Sequence, residues 1–129
     1  MALYPLSNDT ARQAWTMLSD GLIQLSLSSS QLCLTQAGMT STGNHDVIVA
    51  HCEPGAAAQT WQWQEKQLVN NATGFCLDSQ YKNATENSSG NLETYACHKK
   101  SDPNNQGFQL TTSGRLANLL KADLVAAAC

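Results

Sequence analysis

Along most of this chain, apolar and polar positions alternate in short runs bounded by Gly, Asn, Ser and Asp. Trp61-Gln62-Trp63-Gln64 is followed by Gln67-Leu68-Val69-Asn70, Phe75-Cys76-Leu77-Asp78 and Leu92-Glu93-Thr94-Tyr95-Ala96-Cys97. The upstream series has the same form: Thr16-Met17-Leu18, Leu22-Ile23-Gln24-Leu25, Leu32-Cys33-Leu34-Thr35 and Val47-Ile48-Val49-Ala50-His51-Cys52. A period of two predicts half-buried strands, and the turn-forming residues between them predict short connections. The expectation is an all-β chain.

The series repeats. Gln13-Ala14-Trp15, Gln59-Thr60-Trp61 and Gln106-Gly107-Phe108 share a Q-x-aromatic core, and their aromatics lie 46 and 47 residues apart. A fixed period of this size signals repeated supersecondary units. Each unit reads as four strands, with one cysteine pair stapling the third strand to the fourth. Trp15, Trp61 and Phe108 are the equivalent inner positions and the expected core anchors.

The three Q-x-aromatic copies, in register with the strands and cysteines, resemble the ricin-type (R-type) lectin family. That resemblance covers the whole chain and implies a β-trefoil of three four-stranded units. The chain starts out of phase. Leu6 precedes Trp15 by nine residues, as Cys52 precedes Trp61. Met1–Leu6 therefore reads as a fourth strand whose partners, Phe108–Leu110, Arg115–Asn118 and Leu124–Ala126, lie at the other end. Asn118 precedes Leu124 by six, as Asn70 precedes Cys76, so a Leu124/Leu6 pair is expected where the other units hold a disulfide. The expected division of the single domain 1–129 is 16–61, 62–108, and 109–129 plus 1–15, the third unit being assembled from both termini. Such closure leaves no open sheet edge.

Composition narrows the setting. Only 13% of residues are charged, about half the roughly 25% usual for globular domains. Ser, Thr, Asn and Gln fill 44 of 129 positions, which makes a neutral surface rich in hydrogen-bonding groups. The net charge of −3, without a basic run beyond Lys99-Lys100, argues against nucleic acid and against a polybasic membrane contact. No apolar stretch approaches a membrane span. Cys33, Cys52, Cys76 and Cys97 form two pairs with gaps of 19 and 21 residues and no CxxC. Two disulfides, Cys33–Cys52 and Cys76–Cys97, fit better than a metal site and imply an oxidising compartment. Four sequons, at Asn8, Asn71, Asn83 and Asn87, agree, although about two would arise by chance. No signal peptide is evident after Met1, so the chain reads as a mature or excised domain of a secreted or secretory-pathway protein. Cys129 is left over, either as a terminal thiol or for a disulfide to another chain.

The resemblance also implies chemistry. Family members bind galactose-type sugars in a shallow pocket of each unit. The pocket uses an Asp after the first Cys, an aromatic two before the second, and an Asn immediately before the Gln of Q-x-W. A sugar's apolar C–H face wants an aromatic plate, and its vicinal hydroxyls want a carboxylate and an amide. Unit 62–108 carries the set. By the resemblance, Asp78 accepts from the 3- and 4-hydroxyls, Tyr95 stacks, Asn105 bonds the 3-hydroxyl and Gln106 orients Asp78. Glu93, two before Tyr95, points to the same side of the strand and reaches a rim hydroxyl. Each residue alone has a plainer explanation: Asp78 and Asn105 as turn residues, Tyr95 as a strand aromatic. The other units lack the set. The first has Thr35, Ala50 and Ala58 at these places, and the composite unit keeps Tyr4 but has Ala126 and Arg12. One working site is expected.

Nothing in the sequence looks catalytic, and no cofactor or metal is expected. His45, His51 and His98 are scattered and read as surface residues. Asp78 and Glu93 could be imagined as a glycosidase pair, but a shallow rim site offers little to raise a proton donor's pKa. The expected partners are galactose- or GalNAc-containing glycans, and sulfated GalNAc stays open because His98, Lys99 and Lys100 follow Tyr95-Ala96-Cys97. A larger parent chain or a multivalent assembly fits one weak site. The alternatives are a protein-interaction trefoil with a degenerate sugar site, or an accessory domain appended to a larger secreted enzyme or receptor.

Overall fold

The computed structural model describes residues 1–5, 7–8, 10–26, 31–39, 43–79, 91–98, 104–119 and 124–128. Three hairpins start from the three anchors: β2 (Trp15–Met17) with β3 (Ile23–Leu25), β6 (Trp61–Gln64) with β7 (Gln67–Asn70), and β10 (Phe108–Leu110) with β11 (Leu116–Asn118). Each hairpin is followed by a longer pairing. These are β4 (Leu32–Met39) with β5 (His45–His51), β8 (Cys76–Ser79) with β9 (Leu92–Tyr95), and β12 (Leu124–Ala127) with β1 (Ala2–Pro5). The β1–β12 pairing joins the two ends of the chain, as the phase of the repeat requires. The twelve strands among the described residues form sheets ordered β1-β12-β11-β10 and β2-β3-β4-β5-β9-β8-β7-β6. The fold is a β-trefoil.

Backbone ties recur once per repeat. Trp15, Trp61 and Phe108 donate their N–H to the carbonyls of Gly114, Gly21 and Lys66 at 2.7, 3.0 and 2.9 Å. Gly21 and Gly114 close three-residue turns with φ of +92° and +82°. A Cβ on Gly21 would stand 3.0 Å from the Trp61 carbonyl oxygen, and one on Gly114 3.1 Å from that of Trp15, so glycine is needed for both conformation and space. The β6–β7 turn is one residue shorter and takes its left-handed residue at Glu65 instead, φ 58°. That is why Lys66 can stand where its counterparts are glycines.

The core follows from the same repeat. Trp15, Trp61 and Phe108 are each 1% exposed and pack with Ile23, Leu34, Leu68, Leu77, Leu92, Leu116 and Ala126. The indole N–H groups of Trp15 and Trp61 donate to the Ala126 and Leu34 carbonyls at 3.1 and 3.0 Å, so burial of these polar atoms is compensated. The disulfides Cys33–Cys52 and Cys76–Cys97 are formed. Each closes a loop of about 20 residues, for roughly 3 kcal/mol in the loop-entropy account.

Four expectations need correction or completion. The composite unit is in a register one residue later than the spacing suggested. Gln24 pairs with Cys33, Val69 with Cys76, and Ala117 with Val125. Val125, not Leu124, therefore holds the cysteine position, and Ala127, not Ala126, the position of Asp78. The physical reason is loop length: Asn118 to Val125 spans seven residues where Asn70 to Cys76 spans six. Leu6 and Cys129 lie outside the described residues. A one-turn helix α1 (Thr10–Gln13) follows β1, which the alternating pattern did not signal. His45 is buried rather than on the surface, with Nδ1 2.8 Å from the Ala37 carbonyl and its ring edge-on to Phe75.

Candidate functional site

The Q-x-aromatic glutamine is the fixed point from which each unit's pocket is built. The Gln59 amide donates to the Thr35 hydroxyl at 3.1 Å and the His51 carbonyl at 2.8 Å, and accepts from the Glu53 N–H at 2.7 Å. Gln106 repeats this around Asp78. Its Nε2 donates to Asp78 Oδ2 at 2.9 Å and to the Ala96 carbonyl at 3.0 Å, and its Oε1 accepts from the His98 N–H at 2.7 Å. Gln13 likewise accepts from the Ser7 N–H at 3.1 Å. Gln59 and Gln106 thus bridge the end of the fourth strand to the strand before it, and Gln13 holds the segment after β1 in the same way.

Asp78, Glu93, Tyr95, Asn105 and Gln106 come together. Asp78 on β8 lies directly opposite Glu93 on β9, and Cys76 opposite Tyr95. Asn105 and Gln106 stand on a 3-10 turn (Asn104–Gln106) beside β8. The Asn105 amide donates to Asp78 Oδ1 at 2.8 Å and to the Ser79 carbonyl. Tyr95 is 44% exposed, an outward aromatic beside a buried carboxylate. Asp78 is 3% exposed and Glu93 8%, so Glu93 sits down beside Asp78 rather than out on the rim.

Against the expectation that a shallow rim site offers little to raise a carboxyl's pKa, burial pushes the Asp78 carboxyl up to about 7; the Gln106 amide opposes this, and the charge of Glu93 and a hydrogen bond to it add to the rise. A carboxyl raised in this way keeps its proton in the folded state at pH values where the unfolded chain has lost it. Its contribution to stability is therefore full below about pH 4 and is lost as pH rises towards 7. Relative to Asp78→Ala, the wild-type domain is expected to lose a few kcal/mol of unfolding free energy between pH 4 and pH 8. Urea unfolding of both proteins across that range checks this, and parallel curves would refute it.

Residues that the sequence reading passed over complete the site. Gln67 donates to Gln106 Oε1 at 3.0 Å and to the His98 carbonyl at 3.1 Å, and the Ser79 hydroxyl donates to the Asn105 carbonyl at 3.3 Å. Asn44, ahead of β5 in the neighbouring repeat, donates to Glu93 Oε1 at 2.8 Å. Gln67 could have been found by superposing the hairpins, since Arg115 holds the same place and donates to Gln13 at 3.4 Å. The contact made by Asn44 has no signal in the repeat, because it crosses between units.

The equivalent place in the first repeat is a hollow of about 390 Å³ lined by Thr35, Ala50, Ala56, Ala58 and Gln59 among others. It keeps the glutamine scaffold and is also lined by His51 and Glu53, but Thr35 and Ala50 stand where the second unit has Asp78 and Tyr95. Asn8 and Asn71, which head two sequons, are exposed. Asn83, Asn87, Lys99 and Lys100 lie outside the described residues. No helix among the described residues is long and apolar enough to cross a membrane.

Comparison with known proteins agrees with this architecture. A family model described as "Ricin-type beta-trefoil lectin domain" matches residues 1–88. The match includes Asp78 and ends before Glu93, Tyr95, Asn105 and Gln106. No curated protein matches the chain.

Proposed function

From the premise that this chain belongs to the ricin-type β-trefoil lectin domain family, and is thus a carbohydrate-binding module, we propose that it recognises terminal galactose- or GalNAc-type sugars. The proposed site is the one in unit 62–108, made of Asp78, Glu93, Tyr95, Asn105 and Gln106. The observation that carries this reading is the doubly held carboxylate of Asp78 beside an outward tyrosine. Asn105 and Gln106 each occupy one Asp78 oxygen and leave further lone pairs for sugar hydroxyls. Tyr95 supplies the plate for the apolar face of the ring. In this proposal Glu93 is a second carboxyl next to the first.

One shallow site of this kind gives a dissociation constant on the order of 0.1 to 1 mM, or about 4 to 5.5 kcal/mol. Useful avidity then comes from several copies or from a tether to a larger chain. Two disulfides are consistent with a secreted or secretory-pathway setting, which we include in the proposal. The test is a glycan array that includes galactose, GalNAc and 4-sulfo-GalNAc termini. Binding confined to such termini supports the reading, binding limited to the sulfated ones selects the sulfated class, and binding to none of the three refutes it.

A further inference from the structure

Unit 62–108 does not wall its site alone. Thr35 opposite Ile48 and Cys33 opposite Ala50 in the first repeat match Asp78 opposite Glu93 and Cys76 opposite Tyr95 in the second. Gln36 opposite Val47 then matches Ser79 opposite Leu92, the last pair described between β8 and β9. β4 and β5 run on from there to Met39 and His45. The residues this adds to β5 are the ones that meet the second repeat. His45 lies opposite Thr94, and Asp46 opposite Glu93. That pairing joins the strands of the two repeats into one eight-stranded sheet.

Opposite residues of an antiparallel pair project to the same face, and the face alternates along each strand. Asp78, Glu93 and Asp46 therefore form a row across β8, β9 and β5. Two residues further along β5, on the same face as Asp46, is Ile48. Burial agrees with the alternation: His45 and Val47 are buried, Asp46 and Ile48 exposed, and Ile48 keeps 42% of its surface in solvent. Strand spacing and rise put Ile48 about 12 Å from Asp78 at the backbone, more than one pyranose ring covers and enough for two linked ones. β5 is held firmly in this place. Asn44 donates to Glu93 at 2.8 Å, and beyond the Asp46–Glu93 pair Met1 bridges the strands, donating to the Val47 carbonyl and accepting from the Leu92 N–H, both at 2.9 Å.

The chemistry along this strip repeats that of the terminal-sugar site: a carboxylate for hydroxyls, and beside it an apolar surface for a C–H face. Resting on the lectin reading above, we propose that the site continues onto β5 of the neighbouring repeat and takes a second sugar residue there. Asp46 accepts from the hydroxyls of that ring and Ile48 packs on its apolar face. The ligand is then an oligosaccharide, and the ring next to the terminal one is read by Asp46 and Ile48 as specificity-determining residues. Because the two rings are covalently joined, the second contact adds affinity without a second loss of translational freedom.

The test compares methyl β-galactoside with disaccharides that carry terminal galactose on C3, C4 or C6 of the second ring, each titrated into the whole domain. At least one disaccharide should bind wild type about tenfold more tightly than the monosaccharide, the gain from a hydrogen bond to a carboxylate and an apolar contact. The ratio of the two affinities is the readout, because Asp46 stands beside Glu93 and its removal also alters the surroundings of the terminal ring. In Asp46→Ala the ratio should fall to about twofold. In Ile48→Thr, which keeps a β-branched residue on the strand, it should fall to about fourfold. Wild type alone gives a second readout that does not depend on the variants folding: the favoured disaccharide should shift the amides of residues 46–48, which methyl β-galactoside leaves in place. If neither the monosaccharide nor any disaccharide binds, the lectin reading fails and this extension with it. If the monosaccharide binds and every ratio is near one, or if the gain survives both substitutions, the second ring does not lie on β5 while the terminal-sugar site stands.

Discussion

Trp61→Ala should lower the unfolding free energy by about 3 to 5 kcal/mol, the range for removing a large buried aromatic. Trp61 is 1% exposed, lies in the shared core and donates its indole N–H to the Leu34 carbonyl. A domain of this kind has roughly 5 to 15 kcal/mol in total, so the variant is expected to be partly unfolded at 37 °C. Trp61→Phe should be milder, because the third repeat already uses Phe108 at this place. It keeps most of the apolar volume and leaves the Leu34 carbonyl short of a donor, a loss of about 1 to 3 kcal/mol. Thermal and urea melts of both variants test the assignment. A Trp61→Ala protein melting within a few degrees of wild type would mean that the repeat anchor is misplaced.

Asp78→Ala should abolish measurable binding to galactose and GalNAc. Removing an ionised acceptor loses roughly 1.5 to 3 kcal/mol, and a site that starts near millimolar has nothing to spare. The change also removes one of the bonds that orient the Asn105 and Gln106 amides, those to Asp78 at 2.8 and 2.9 Å, leaving Asn105 on the Ser79 carbonyl and Gln106 on the Ala96 carbonyl. Tyr95→Ala should have much the same effect through loss of the aromatic plate. Thr35→Ala, at the equivalent place in the first repeat, should bind as wild type does. Its hydroxyl is engaged with the Gln59 amide and the Cys33 carbonyl and has no aromatic plate across from it. Sugar titrations followed by NMR separate these outcomes, and an Asp78→Ala protein that binds normally would remove the site from consideration.

Much of the fold was legible because the trefoil repeats its instructions. Trp61 opposite Asn70 and Phe108 opposite Asn118 follow from period-two runs separated by turn residues. The membership of β1 in the last repeat followed from the nine-residue spacing to Trp15. What could not be read was loop length. The single extra residue between Asn118 and Val125 moved the composite register by one, and nothing in Leu124-Val125-Ala126-Ala127 tells one apolar residue from the next. The site residues were legible as residue types at fixed distances from cysteines and glutamine. Their depth was not. Alternation put Glu93 and Tyr95 on one side of β9, yet β5 packs against that strand and Asn44 reaches Glu93 from another repeat. Contacts between units leave no trace in the spacing within one. His45 was misjudged for a similar reason, since its burial depends on Phe75 from the next repeat.

The most direct measurement of the central proposal is a titration of isotopically labelled protein with galactose, followed through its backbone amide signals. A single site in the last complete repeat predicts saturable shifts at Leu77–Ser79, Thr94–Ala96 and Asn105–Gln106, all fitting one dissociation constant. The amides of Thr35, Ala50 and Ala58, and of Ala127 in the composite repeat, should stay where they are. Shifts centred on Thr35 and Ala50, or none that saturate near Asp78, would contradict the account.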